Sequence, residues 1–310
     1  MIAFFANIFG YILNFIYNLI GNYGLAIIVF SILIKILMIP ISIKQQKTMK
    51  KSTKLQAKLK EIQVKYKNNP EKLNQETMEL YKKENMSPFS GCLSAIVQII
   101  LLFAVFYLVS SPLTYMKKVD VGLIDKYTTI MQQHEMTNNS AYPEIEVIRE
   151  IDNINKLKEN LEQIVEENTE QKAEENEDKI NVSEIKDEEL DSLRINMDFL
   201  GLNLAQVPTK STDWKAYIIP FLYVVISIIS MRITMVANPN QKQNKEKKEG
   251  EEEFDPIAQM NKNMFFMFPI MYLAVALIAP LGLALYWLMN SLLMIGEKLI
   301  LNRVIKDEEE

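Results

Sequence analysis

The sequence is poor in the residues from which many catalytic and metal sites are built. Its 310 residues include one cysteine, Cys92, and one histidine, His134. A single cysteine excludes a disulfide within the chain, and a single histidine excludes a metal centre built from several histidines. The sequence also lacks a glycine-rich phosphate loop and the HExxH and GxSxG motifs. We therefore predict no catalytic residues, no bound metal and no cofactor, and a protein that is not an enzyme.

Acidic residues are missing from five long apolar runs, each close to the roughly 20 residues with which a helix crosses a bilayer: Leu25–Ile43, Leu93–Val109, Ala216–Met231, Met264–Ile278 and Leu281–Ile295. These runs predict an all-α integral membrane protein with transmembrane helices at 23–43, 92–111 and 214–236 and two more within 263–300. No basic region followed by a small-residue cleavage pattern precedes the first run, so we expect no removable signal peptide.

The first 22 residues are apolar but carry one polar stripe. Its members recur at spacings of four, three, four and four residues, which places them on one face of a helix: Asn7, Tyr11, Asn14, Asn18 and Asn22. This pattern predicts an amphipathic helix over 1–22 that lies in the membrane interface. A sixth transmembrane helix is the alternative.

Charges outside the apolar runs are separated by sign. Residues 44–91 contain twelve lysines and five glutamates, a net charge of +7, and Asn68-Asn69-Pro70 divides them into a predicted helical hairpin. Residues 112–213 contain 23 acidic and 11 basic residues, a net charge of −12. We predict a partly disordered acidic insert there, with one amphipathic helix marked by a stripe of Ile151, Ile154, Leu157, Leu161 and Ile164.

The same charges predict the topology. Basic residues near the ends of transmembrane helices are retained in the cytoplasm, so the lysine-rich hairpin is expected inside. The N-terminus and the acidic insert then lie outside, whereas the loop at 237–262 and the acidic tail at 301–310 are cytoplasmic. Five spans require termini on opposite sides, and the charges agree with that parity.

Lys35 lies within the first apolar run. A central lysine costs about 2.5–3.5 kcal/mol on an insertion scale, and each Leu or Ile returns about 0.3–0.6 kcal/mol, so the run still inserts. Pairing with a buried carboxylate is not expected, since none of the five runs contains one. Snorkelling to the headgroups is an alternative, although eight residues separate Lys35 from Ile43. We predict a hydrated cavity that also contains Gln98, Ser227 and Ser230, and we expect removal of the charge to leave stability unchanged or slightly raised.

Several motifs occur in a specific order. After the interfacial helix, the basic span and the lysine-rich hairpin come MSPFSGCLSAIVQ at 86–98, MDFLGLNL at 197–204 and PLGLALYWLMNSL at 280–292. This order resembles the YidC/Oxa/Alb family of membrane protein insertases over residues 1–115 and about 197–305. The resemblance implies five transmembrane helices around a hydrophilic groove, with Lys35 at the position of the family's arginine and Tyr286 and Trp287 as its aromatic pair. Helix packing or anchoring at the interface is the alternative role of these aromatic residues.

The resemblance also implies a function. We expect an insertase and chaperone of the bacterial cell membrane that moves short polar tails across the bilayer, and transmembrane segments into it, without ATP. Its partners would be nascent membrane proteins and lipids, with the ribosome and the general secretion channel as further candidates and no direct contact with nucleic acid. The acidic tail and the long insert depart from the family pattern. A secondary transporter or channel is the alternative function, although the runs lack the carboxylates and repeated halves typical of that class.

Overall fold

The structure is a computed structural model that describes residues 1–84, 90–137, 141–167, 185–236, 271 and 273–307. It is mainly helical, which confirms the predicted all-α class. Within the described residues the helices and the strand pair, in chain order, are α1 (Ile2–Ile20), α2 (Tyr23–Lys65), α3 (Pro70–Lys83), α4 (Ser90–Ser110), α5 (Val121–Gln133), α6 (Pro143–Glu167), α7 (Asp187–Leu193), β1 (Asp198–Phe199), β2 (Leu202–Asn203), α8 (Ile218–Val236) and α9 (Leu281–Asp307).

Four described helical segments are long and apolar enough to cross a membrane. They are Ile2–Ile20, Tyr23–Thr48, Trp214–Ile233 and Leu281–Leu301, and Ile96–Ser110 is a shorter apolar helix. Length and composition thus qualify α1 as a span, so its interfacial position stays a prediction. The predicted fourth span lies mostly outside the described residues, as does the predicted loop at 237–262. The arrangement of five helices around a groove also stays a prediction.

Two helices continue past the ends that the sequence predicts. Helix α2 passes Ile43 without interruption, contains Pro40, and ends at Lys65, so the first arm of the lysine-rich hairpin is a direct extension of the first span. Helix α9 continues to Asp307 instead of ending at residue 300. The physical reason is that a change from apolar to charged side chains alters the solvent a helix prefers, whereas the backbone hydrogen bonds continue.

The predicted break in the hairpin lies where the sequence places it. Helix α3 begins at Pro70, and the side chain of Asn69 accepts a hydrogen bond of 3.1 Å from the backbone N–H of Lys72. Proline suits the first turn because the backbone there needs no donor. The two arms are joined by Tyr66, whose hydroxyl lies 3.1 Å from a carboxylate oxygen of Glu76.

The described chain forms two compact units. The first comprises Met1–Ser31, Leu102–Tyr223 and Met271–Met289. In this unit α1 packs on a π-helical turn, Leu113–Lys117, at the start of the insert. A Cβ atom on Gly10 would lie 1.8 Å from the carbonyl oxygen of Tyr115. The backbones approach so closely that only glycine fits at this position.

The described part of the acidic insert is largely helical and has its own apolar core. Helices α5, α6 and α7 bury a shared apolar core, to which Tyr127, Ile130, Ile154, Leu190 and Leu193 contribute. The helical stripe that begins at Ile151 lies on α6. Residues 185–213, after this stripe, are ordered, because apolar side chains of α7 and the following segment complete that core. Residues 168–184 lie outside the described part.

The MDFLGLNL motif forms a short hairpin at the start of α2. Strands β1 and β2 are joined by Leu200 and Gly201, which have φ angles of 53° and 77°. The backbone N–H of Tyr23 donates a 3.0 Å hydrogen bond to the carbonyl oxygen of Asn196. A Cβ atom on Gly24 would lie 2.5 Å from the ring of Phe199, so glycine permits this close contact.

The second unit comprises Ile32–Leu101, Val224–Ile270 and Asn290–Glu310. Its described part contains most of α2, all of α3, the first part of α4 and the later parts of α8 and α9. Large apolar side chains on these helices, including Ile36, Leu37 and Ile229, are exposed. Exposed apolar surface of this kind is typical of helices that face lipid.

Candidate substrate-binding site

Lys35 lies on the inward face of α2. Ile27 and Ser31, which lie eight and four residues before Lys35 on the same face of the helix, are buried. The hydroxyl of Ser31 donates a 2.7 Å hydrogen bond to the carbonyl oxygen of Ile27. Ile36 and Leu37, next along the chain, are exposed. The lysine therefore points inward from a helix whose outer face is apolar.

The ammonium group of Lys35 is paired with a carboxylate that the sequence analysis missed. Its Nζ lies 2.6 Å from Oε2 of Glu297 on α9, and the two side chains are 22% and 12% exposed. The expectation that Lys35 has no acidic partner is therefore wrong. The last apolar run of the sequence, Leu281–Ile295, stops short of Glu297, whereas the candidate span extends to Leu301 and includes Glu297. The signal was present in the sequence, since the apolar residues LIL follow Glu297-Lys298 directly.

The ion pair changes the expected effect of removing the lysine. A carboxylate at this distance compensates the ammonium charge directly, so hydration alone need not do so. Removing one partner of a buried pair leaves the other charge without compensation and costs about 3–5 kcal/mol. For this arrangement we therefore expect loss of Lys35 to lower stability, in place of the unchanged or raised stability predicted from the sequence.

The two predicted serines lie on the buried face of α8. Ser227 and Ser230 are three residues apart, and both are buried together with Ile219 and Tyr223 on the same side of the helix. Phe221, on the opposite side, is 65% exposed. Within the described residues the hydroxyl oxygen of Ser227 makes no hydrogen bond. Helix α8 therefore directs hydroxyl groups inward and apolar groups outward.

Gln98 has a different environment. It lies on α4 in a stretch where the neighbouring Ile96, Val97 and Ile99 are exposed, and Gln98 is exposed as well. Its amide is accessible, whereas the serines are enclosed. Gln98, Lys35 and the two serines all belong to the second unit.

The aromatic pair belongs to the first unit. Tyr286 is buried, and Trp287 is half-buried with its ring 5.9 Å from that of Tyr223 at an interplanar angle of 33°. This geometry agrees with helix packing by the aromatic residues, which was the alternative interpretation. A single groove lined by all six predicted residues stays a prediction, as does contact between the aromatic pair and a substrate.

A second concave region lies in the insert. It is an open polar cleft of about 560 Å³ lined by residues that include Glu146, Arg149 and Lys210. Glu146 is buried, and its carboxylate accepts a hydrogen bond of 3.0 Å from Lys210 and another from the hydroxyl of Thr137. The buried carboxylate of the cleft is thus compensated by its neighbours. No group of three His, Cys, Asp or Glu side chains suited to a metal occurs among the described residues.

Comparison with known proteins identifies relatives. Residues 15–309 match the family described as 60Kd inner membrane protein. A protein named membrane protein insertase YidC from Caldanaerobacter subterraneus subsp. tengcongensis is 44% identical over 97 residues, which are 31% of this chain and 47% of that protein. Proteins of the same name from Fusobacterium nucleatum subsp. nucleatum and Syntrophus aciditrophicus are 45% identical over 96 residues and 49% identical over 94 residues; these matches cover 31% and 30% of this chain, and 47% and 17% of the relatives. The chain thus matches about half the length, or less, of these relatives.

Proposed function

The chain belongs to the 60Kd inner membrane protein family, the YidC/Oxa/Alb family that its motifs resemble, and from this premise we propose that it is a membrane protein insertase and chaperone. It is a multi-pass protein of a bacterial membrane. In the proposed reaction it moves short polar tails across the bilayer and releases transmembrane segments into lipid. The observation that carries the proposal is the inward-facing cation of Lys35 within a candidate span.

Burial of the substrate itself can drive this reaction. Transfer of apolar surface from water to lipid yields about 25 cal/mol per Å², which amounts to tens of kcal/mol for a full transmembrane segment. That free energy exceeds the cost of carrying a short polar tail across, so the protein needs only to lower the barrier. We therefore propose that insertion needs neither ATP nor another cofactor and that the protein is not an enzyme in the usual sense.

The proposed site lowers the barrier by solvating polar groups part-way across. Lys35 attracts acidic residues of the tail, while Gln98, Ser227 and Ser230 supply hydrogen bonds. A membrane potential that is negative inside favours outward movement of each acidic charge by about 2.3 kcal/mol per 100 mV. Tyr286 and Trp287 would lie beside the apolar segment of the substrate.

The proposed topology places the N-terminus and the insert outside and the lysine-rich hairpin and C-terminus in the cytoplasm. Cysteines introduced at Ser52 and Asn176, after replacement of Cys92, test it with an impermeant thiol reagent on intact cells. Only position 176 should be labelled, and labelling at position 52 would invert the topology. Nascent membrane proteins and lipids are the proposed partners, and the ribosome and the secretion channel are further candidates.

A secondary transporter or channel is the second candidate function. The Lys35–Glu297 pair is the observation that favours it, because ionisable groups within a membrane often mark the path of an ion. Vesicles containing the purified protein distinguish the two functions. If the protein is an insertase, the vesicles should insert a substrate and should show no ion flux when the substrate is left out. If it is a channel, the vesicles should conduct ions in the absence of any substrate protein.

Insertion assays with the purified full-length chain in vesicles test the main proposal. Single-span substrates carry tails with zero, one or two acidic residues. Lys35→Arg should retain activity because the cation is kept, Lys35→Ala should lose activity on acidic tails, and Lys35→Glu should be worse through like-charge repulsion. Lys58→Ala is the matched control, since Lys58 forms a pair of the same 2.6 Å length outside the candidate spans. Lys35→Ala activity equal to wild-type activity on each of the three tails would refute the electrostatic role.

A further inference from the structure

Glu297 is paired with Lys35, the same cation that the proposed mechanism uses to attract the substrate. Since one lysine cannot attract a substrate carboxylate fully while it neutralises a resident one, the two carboxylates compete. We infer that Glu297 is a specificity-determining residue, which an acidic residue of the entering tail displaces from Lys35, and that this exchange sets how strongly the protein prefers acidic tails. The inference rests on the proposed insertase function and adds the regulation of its site.

The geometry of the pair allows such an exchange. Only Oε2 of Glu297 contacts Lys35, at 2.6 Å, and Oε1 makes no hydrogen bond within the described residues. A lysine ammonium has three hydrogen-bond donors on a flexible side chain, so it can donate to a second carboxylate before its contact with the first is lost. At 22% exposure the lysine side chain is reachable without prior unfolding of the helices.

Glu144, a buried carboxylate in the insert, is held by more contacts than Glu297. Glu144 accepts hydrogen bonds from the backbone N–H groups of Leu113 and Thr114 and from the hydroxyl of Thr114, at 2.7, 3.0 and 2.7 Å. Both of its oxygens are engaged by groups of one short segment. The ionic contact of Glu297 is made instead to a flexible side chain on another helix. Glu297 is therefore the more readily displaced of the two.

The position of Glu297 gives the displaced carboxylate a place to go. It lies four residues, about 6 Å of helix, before Leu301, where the candidate span ends. The displaced carboxylate therefore remains within about one helical turn of the end of the span. While the native pair is closed, the charges of Lys35 and Glu297 compensate each other.

The test measures selectivity in full-length protein reconstituted in vesicles. The readout is the ratio of insertion of a two-acid tail to insertion of a neutral tail. Glu297→Gln removes the competing charge and should raise this ratio severalfold above the wild-type value. Lys35→Ala should lower the ratio below the wild-type value because Glu297 then repels acidic tails, and Lys35→Ala combined with Glu297→Gln should return it to about one. Glu84→Gln, which opens the exposed pair with Lys58, is the matched control and should leave the ratio unchanged.

The outcomes separate this inference from the proposed function. If Lys35→Ala keeps the wild-type ratio, the electrostatic insertase mechanism fails. If Lys35→Ala loses the preference while Glu297→Gln keeps the wild-type ratio, only the competition by Glu297 is refuted. An equal loss of insertion of all tails by folded Glu297→Gln would leave the ratio unchanged and would overturn the inference, because Glu297 would then be needed for insertion itself and not for selectivity. Should Glu297→Gln not fold, Glu297→Asp decides, because its shorter side chain weakens the contact and should raise the ratio; an unchanged ratio overturns the inference.

Discussion

The insert and the membrane helices expose opposite kinds of side chain. In the insert, Tyr127, Ile154 and Leu190 are buried, while the carboxylates of Asp187 and Asp191 are exposed. On α8 the hydroxyls of Ser227 and Ser230 are buried, while Phe221 and other apolar side chains of the opposite face are exposed. The difference shows that the solvent expected around each region decides which face is apolar, because water and lipid reward the exposure of opposite groups.

The two regions also differ in how they compensate a buried carboxylate. Glu144 in the insert receives three hydrogen bonds, from two backbone amides and one hydroxyl. Burial nevertheless raises the pKa of its carboxyl group above the usual range, while those hydrogen bonds act in the opposite direction. Glu297 has a single cation at 2.6 Å. One carboxylate is thus held rigidly by backbone, and the other depends on one flexible side chain.

The largest effect is expected from Glu144→Ala. The substitution leaves the backbone N–H groups of Leu113 and Thr114 without their acceptor and should destabilise the insert by about 3–5 kcal/mol. Hydrogen exchange of insert amides in the full-length protein measures this loss. Glu159→Ala, an exposed position on the same helix, is the control and should have no measurable effect. Equal protection of the insert amides in Glu144→Ala and Glu159→Ala would show that the hydrogen bonds of Glu144 do not stabilise the insert.

The same carboxylate predicts a pH dependence. Folding raises the pKa of Glu144, so the folded insert holds this proton more tightly than the unfolded chain does. Its contribution to stability is therefore fully present below the unfolded pKa and declines as the pH rises through the folded pKa. Glu144→Gln should abolish this part of the pH dependence in the same exchange experiment.

Lys35→Ala should have the next largest effect on stability. It leaves Glu297 without its cation inside a candidate span, and the protein should lose about 3 kcal/mol of stability. Thermal unfolding in detergent measures the change, and addition of Glu297→Gln should recover most of it. Lys58→Ala breaks a pair of equal length, 2.6 Å, whose side chains are 58% and 37% exposed, and should leave the unfolding temperature unchanged. If both lysine variants behaved alike, burial would not be what matters.

Glycine-to-alanine substitutions at Gly10 and Gly296 compare how closely the chain is packed in the two units. The added Cβ would meet the backbone carbonyl of Tyr115 at 1.8 Å and should cost about 1–3 kcal/mol as α1 is pushed away. Gly296→Ala adds the same atom to α9, where nothing lies within 4 Å, and should be neutral or stabilising by up to about 1 kcal/mol. Unfolding of the two variants in the same detergent gives the comparison. A cost at Gly296 equal to that at Gly10 would contradict it.

The smallest effect is expected at the half-buried ion pair of the insert. Lys126 lies 2.8 Å from a carboxylate oxygen of Glu189, and this contact holds the pKa of Glu189 below its usual range. The resulting stability is present above the unfolded pKa and is lost as the pH falls through the folded pKa. Lys126→Met should cost about 0.2–1 kcal/mol at neutral pH, and less in high salt. Exchange rates that do not depend on salt would argue against an electrostatic contribution.

Local features were predictable because their causes lie within a few residues. Asn69 and Pro70 carry the signals that end one hairpin helix and begin the next, and both act through adjacent backbone groups. The length and composition of the apolar runs similarly indicate the membrane helices. The inward face of α8 was found because Ser227 and Ser230 are the exceptions in an apolar run.

The sequence by itself determined the family, the helical class, the charged regions and the identity of the unusual lysine. Only the tertiary structure decided what that lysine contacts and how far the insert is ordered. Lys35 and Glu297 lie on helices far apart in the chain, so no local spacing reveals their 2.6 Å contact. The order of the insert similarly depends on apolar side chains of α5, α6 and α7 meeting in one core, and a core gains its stability only when all of its segments are present.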